Sequence, residues 1–119
     1  MEIDIIEVNR NKIAALKSPE VVILKTQDAL DLMAEASYLN SHKIIIKEDQ
    51  VTSEFFDLKT GIAGEILQKF STYNVQLAII GDFSKYNSKS LRDFIFESNK
   101  YGRINFVSSY EEAIEKLSR

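Results

Sequence analysis

Leu77-Ala78-Ile79-Ile80, closed by Gly81-Asp82, decides how the rest of the chain is read. Four apolar residues in a row, ended by a glycine and an acid, suit a short strand covered on both faces. Two further runs of the same kind flank it, Ile44-Ile45-Ile46 before and Ile104-Asn105-Phe106-Val107 after. The segments between have helical rather than strand periodicity. Ala29, Leu32, Met33 and Ala36 recur at i, i+3, i+4, i+7, and so do Ala63, Ile66, Leu67 and Phe70. Leu91, Phe94, Ile95 and Ser98 give a third stripe, and Tyr110, Ala113, Ile114 and Leu117 a fourth. Thr26, Thr60 and Ser88 stand where helix caps belong, and Ser109 with Glu112 forms a capping box. Strand and helix therefore alternate, and parallel strands joined by right-handed crossovers are the economical arrangement.

The N-terminal third differs. Ile3, Ile5 and Val8, with acids between, predict a first strand. Asn9-Arg10-Asn11-Lys12 reads as a turn into a second strand, Ile13 to Lys17, which Ser18-Pro19 interrupts. A short further strand is expected at Val21 to Leu24, and a helical turn around Ser53 to Asp57 ahead of the helix near Thr60. The fold class is thus α/β: a single domain over residues 1–119, with an N-terminal hairpin feeding a mixed, mostly parallel sheet of four or five strands and about four helices.

Composition narrows the function. The 119 residues include no cysteine, which excludes a disulfide framework, thiol catalysis and thiolate metal ligation. His42 is the only histidine, so a histidine-based metal site is not expected, and its helix-to-strand junction lies at the edge opposite the strands' carboxyl ends, which discounts a serine–histidine–acid triad there. The formal charge of −3 does not draw the molecule to phosphate backbones. Lys85 to Arg103 is locally basic, but without the aromatic ladder of a nucleic-acid module it reads as a solvated helix face. Met1-Glu2-Ile3-Asp4 lacks the basic start and apolar core of a secretory signal, and no apolar run approaches the roughly 20 residues of a membrane helix. A cytoplasmic location without nucleic-acid or membrane partners is the expectation.

In open α/β sheets, ligands gather beyond the carboxyl ends of the strands. Glu48-Asp49-Gln50, Gly81-Asp82-Phe83-Ser84-Lys85-Tyr86 and Val107-Ser108-Ser109 should meet there. Asp82, Ser84 and Lys85 are candidates for contact with a ligand or partner, alongside the local reading in which Gly81 relieves crowding and Asp82 makes a turn. Thr60-Gly61-Ile62-Ala63-Gly64 opens a helix with two glycines, which suits either anion approach or tight packing of helix on strand. The phosphate-loop and dinucleotide patterns are absent, so no cofactor is expected. A phosphoacceptor receiver domain would need a lysine after the last strand, where Ser108-Ser109 stands. Of the adjacent Phe55 and Phe56, one is expected to line a pocket or partner surface. Tyr38, Tyr73, Tyr86 and Tyr101 are expected in core or rim packing.

The run from Glu54 to Phe70, the run from Leu77 to Tyr86 continued by Ser88 to Ile95, and Ala29-Leu30-Asp31-Leu32-Met33 together resemble a bacterial family of domains of unknown function, DUF4180, over nearly the whole chain. The element order is also similar to the STAS architecture of anti-sigma-factor antagonists and their SpoIIAA-like relatives. That second resemblance implies partner binding at one edge, and a phosphoacceptor just before the glycine that opens the second helix. Thr60, before Gly61 in Asp57-Leu58-Lys59-Thr60-Gly61, takes that place, with one inserted residue and with Lys59 where a small hydroxyl is usual. Two functions follow as expectations. The first is a non-enzymatic regulatory or protein-interaction module with Thr60 as candidate phosphoacceptor and Asp57 and Gly61 beside it. The alternative is a small-molecule binder or enzyme using the rim around Asp82 with Glu48 or Asp49.

Overall fold

The computed structural model describes residues 2–119. Five strands, β1 (Glu2–Val8), β2 (Asn11–Lys17), β3 (Lys43–Lys47), β4 (Gln76–Ile80) and β5 (Ile104–Val107), form one sheet in sequential order. β1 and β2 are antiparallel, and every later pair is parallel. The four helices are α1 (Thr26–Tyr38), α2 (Ile62–Thr72), α3 (Lys89–Tyr101) and α4 (Tyr110–Leu117). Because each right-handed crossover steps one strand in the same direction, α1, α2 and α3 fall on one face of the sheet. Their buried side chains pack with Ala14, Leu16, Ile44, Ile46, Leu77 and Ile79. α4 follows the last strand and covers the other face, where Ala113 and Leu117 meet Ile13, Ile45, Ala78 and Val107. Alternate residues of the central strands are thus buried on opposite sides, which is why those strands are apolar without alternation. Among the described residues, no helix is long and apolar enough to cross a membrane.

The helical stripes at Ala29, Leu32, Met33 and Ala36 and at Ala63, Ile66 and Phe70 are buried as expected. On α3 only Leu91 and Ser98 are fully buried, and Phe94 and Ile95 are half-buried. The hairpin turn is tighter than its polar composition suggests. Asn9 and Arg10, both at positive φ, form a two-residue loop, and Asn11 and Lys12 already belong to β2. Val21 to Leu24 is not a strand; it makes a single bridge, Ile23 to Val51. Tyr38, Tyr73 and Tyr101 are exposed rather than packed.

Phe55 and Phe56 are both buried, so neither makes an exposed surface, while Phe56, as one of the pair was expected to, reaches the wall of an open cleft. They lie on a 3-10 turn, Ser53–Phe56, where successive side chains diverge by about 120°. That lets Phe55 face Phe106 while Phe56 stacks on Tyr86, with ring centroids 5.1 Å apart.

Candidate functional site

At the carboxyl ends of β3 and β4 the chain makes two polar turns that meet. Glu48 opens a 3-10 turn directly after β3, and Lys85 and Tyr86 follow the Gly81-Asp82 turn after β4. The Glu48 carboxylate accepts from Tyr86 Oη at 2.5 Å and pairs with Lys85 Nζ at 2.7 Å. Its side chain is only 15 % exposed, against 56 % for Lys85, so the lysine forms the outer lip and the acid the floor. Gly81 makes this approach possible: a Cβ there would lie 2.6 Å from Glu48 Oε1 and 2.8 Å from its Cβ. Burial first, then the hydrogen bond to Glu48 and its negative charge, hold the Tyr86 hydroxyl protonated well above its ordinary range. Below lies an aromatic cluster in which Phe56, Phe83 and Phe106 join the Ser53–Phe56 turn to β5. The open cleft above it has a volume of about 390 Å³ and is lined by Val21, Asp49, Val51 and Ser53 together with the Glu48–Lys85–Tyr86 group and Phe56.

Asp82 and Ser84 stand apart from this group. Asp82 Oδ1 accepts from Ser84 Oγ at 2.6 Å and from Ser84 N at 3.1 Å. These bonds, the hydroxyl's first, hold the Asp82 carboxyl below the usual carboxylate range. The pair closes an exposed local turn. Ser109 caps α4 through Glu112 N–H, and the Glu112 carboxylate accepts from Ser108 N–H, so both serines of the β5 rim are engaged by the helix start. Gln50, placed on the rim by its neighbours in sequence, is instead buried beneath it.

The second candidate region is a knuckle between β3 and α2. Asp57 caps a 3-10 turn, Leu58–Thr60, by accepting from Lys59 N–H. Gly61, at φ +79°, is the residue before α2, so it and not Thr60 takes the cap position. Only a glycine enters that left-handed conformation without strain. Gly64 has open space around its Cα, which corrects the tight packing expected there. Thr60 is exposed, and its hydroxyl has three neighbours: the carbonyls of Glu54 at 2.8 Å and Asp57 at 2.9 Å accept, and Ile62 N–H donates to Oγ1 at 3.3 Å. The helical start at Thr60-Gly61 was legible; the hydroxyl's hold on Glu54, six residues back, was not.

Strand order explains why the rim is shallow. Deep crevices in α/β sheets open where the order reverses and helices leave on opposite faces. Here the order runs from β1 to β5 without reversal. Among the described residues no cluster of three or more histidine, cysteine or acidic side chains could hold a metal ion. Fold and rim together define a hairpin-led α/β domain with a polar lip at its carboxyl end and an exposed, threonine-tied turn beside it. The chain belongs to the family described as Domain of unknown function (DUF4180), whose model matches residues 8–117. Comparison with curated proteins gives no match.

Proposed function

We propose that this protein is a regulatory, protein-interaction module of STAS-like build, with its partner surface at the carboxyl-end rim and Thr60 as a phosphorylation switch. The single observation that carries this is the position of the Thr60 hydroxyl, which is exposed yet bonded to the carbonyls of Glu54 and Asp57. Transfer of the terminal phosphoryl group of a nucleoside triphosphate to Oγ1 by a separate kinase, with the nucleoside diphosphate leaving and the hydroxyl proton passing to solvent, removes the proton those carbonyls share. It adds nearly two negative charges, which repel both carbonyls and draw toward the free amides at the start of α2. The Ser53–Thr60 segment that borders the cleft would then change shape without disturbing the sheet. The inward pairing of the other polar groups, Asp82 with Ser84 and Glu48 with Lys85 and Tyr86, supports recognition over catalysis.

Mass spectrometry of protein from its native cells, followed by pull-downs with Thr60→Ser, Thr60→Asn and Thr60→Glu, tests the reading. Thr60 is expected to be modified in at least one growth state, and Thr60→Glu to lose or gain a partner that wild type and Thr60→Ser treat alike. An unmodified Thr60 in every growth state, with identical partners for all variants, removes the switch.

A second reading, a small-molecule site in the cleft over Glu48, is favoured by that acid's near-burial beneath Lys85 and Tyr86. A metabolite screen by thermal shift should then find a ligand whose stabilisation falls in Glu48→Gln and Lys85→Ala. A ligand whose effect survives both changes binds elsewhere.

A further inference from the structure

The two edges of the sheet are finished differently. β5 is four residues long and fully buried, and a side chain closes its outer margin. Asn99 of α3 accepts from Phe106 N–H at 2.6 Å and donates to Phe106 C=O at 3.2 Å, as a neighbouring strand would. β1, at the other edge, is seven residues long and pairs on one side only. Its sequence, Glu2-Ile3-Asp4-Ile5-Ile6-Glu7-Val8, contains none of the prolines or lysines that usually guard an edge. Its three acids face two lysines across the hairpin, which offset part of their charge. Glu2 lies opposite Lys17, Glu7 opposite Lys12, and Asp4 Oδ2 is 3.1 Å from Lys17 Nζ.

The backbone groups that face outward follow from the hairpin. The carbonyls of Lys12 and Leu16 accept from Ser41 Oγ and Gln50 Nε2, on the β3 side of β2. Their partners across the hairpin, Glu7 and Ile3, with Ile5 between, therefore turn N–H and C=O away from β2. Those three residues hold the free hydrogen-bonding groups of the edge.

We propose that β1 is a homodimer interface, pairing antiparallel with β1 of a second copy about a two-fold axis at Ile5. In that register Ile5 lies opposite Ile5, Ile3 opposite Glu7, Asp4 opposite Ile6, and Glu2 opposite Val8. All three outward-facing residues are paired, and no two like charges are opposed. A shift of two residues in one direction sets Asp4 against Asp4, and in the other leaves Ile3 unpaired; a shift of one mismatches the faces of the two sheets. The strand is complementary to itself, which singles out a second copy as its occupant. Exposed apolar groups flank the same edge. Ile5 is 39 % and Tyr38 88 % exposed, and Tyr38 and Leu39 border a hollow of about 630 Å³ shared with Glu2 and Ile3. Pairing brings α1 of each copy toward the axis and gives these side chains apolar neighbours.

Sedimentation or light scattering at micromolar concentration should report twice the 13.6 kDa of one chain. Ile5→Lys, which sets two lysines against each other at the axis, should halve that mass while circular dichroism and the thermal transition stay those of a folded protein. Ile5→Cys supplies a second, independent reading, since the chain has no other cysteine. Opposed Cα atoms in such a pair lie about 5.5 Å apart, within disulfide range. Oxidation should therefore link Ile5→Cys into a covalent dimer and leave Asp4→Cys unlinked. A wild-type monomer, a dimer that persists in Ile5→Lys, or equal cross-linking of both cysteine variants overturns the proposal.

Discussion

Phe70→Ala is expected to lower the free energy of unfolding by about 3–5 kcal/mol. Phe70 is completely buried in the α2 stripe that faces the sheet, within the same core as Ile44, Leu77 and Ile79. Alanine suits a helix, so the loss is not one of helix propensity. It comes from the apolar surface no longer removed from water and from a cavity that five strands and three covering helices cannot close. The Phe70 carbonyl also accepts from Val75 N–H at 2.9 Å, in the turn that leads into β4. Any collapse of the ring's site would therefore pull on a central strand. Domains of this size are stable by roughly 5–15 kcal/mol, so the variant should unfold at a much lower urea midpoint with an unchanged slope. Phe94→Ala, at a half-buried position, should cost clearly less. A Phe70→Ala midpoint close to wild type would remove Phe70 from the core.

What could be read in the sequence follows from which forces act locally. Ile44–Ile46 and Leu77–Ile80 announce buried parallel strands because covering both faces leaves a continuous apolar run. The α1 stripe is legible because one face of a helix repeats every three or four residues. Phe55-Phe56 is only half legible: the short helical turn is expected, but that it buries both rings, with Phe56 alone reaching the cleft, depends on the packing of Phe106 and Tyr86 against it. Tyr38 and Tyr101 mislead because aromatic composition says nothing of exposure at a helix end, where both stand. At the site, the residue types were visible and their partners were not. Lys85 belongs to Glu48 and not to Asp82 because the β3–β4 register brings the ends of those strands together, and no spacing within either segment encodes that. Tyr86 completes the group through the same register, and its only sequence signal is its place at the end of the Gly81–Tyr86 turn.

Gln50 is the clearest example of a residue whose neighbours hide its role, and its replacement should rank beside Phe70→Ala in cost. Glu48-Asp49-Gln50 reads as a polar rim, yet the Gln50 side chain is fully buried. Its Oε1 accepts from Lys47 N–H at 2.8 Å, and its Nε2 donates to the carbonyls of Leu16 at 3.2 Å and Ser18 at 2.9 Å. The Gln50 carbonyl accepts from Val22 and Ile23 N–H. One residue thus ties the end of β2, the Ser18–Ile23 loop and the end of β3. Gln50→Leu keeps nearly the same volume but strands the buried Leu16 carbonyl and takes a partner from the part-buried Ser18 carbonyl and Lys47 amide, so a loss of about 2–4 kcal/mol is expected from urea unfolding. Gln50→Glu distinguishes the donor's part from the acceptor's. At neutral pH a carboxylate still accepts from Lys47 N–H, but it faces two carbonyls with no proton to give them. Burial, with one oxygen set against two carbonyls, outweighs the single bond from Lys47 N–H and raises the pKa of that introduced acid in the folded state above its unfolded value. The folded state then holds the extra proton over the window between the two values, so stability relative to wild type should rise as pH falls through the folded pKa. Recovery on acidification in Gln50→Glu, with none in Gln50→Leu, is the result that assigns the clamp to the amide hydrogens. A Gln50→Leu variant as stable as wild type would show that the three bonds contribute nothing net.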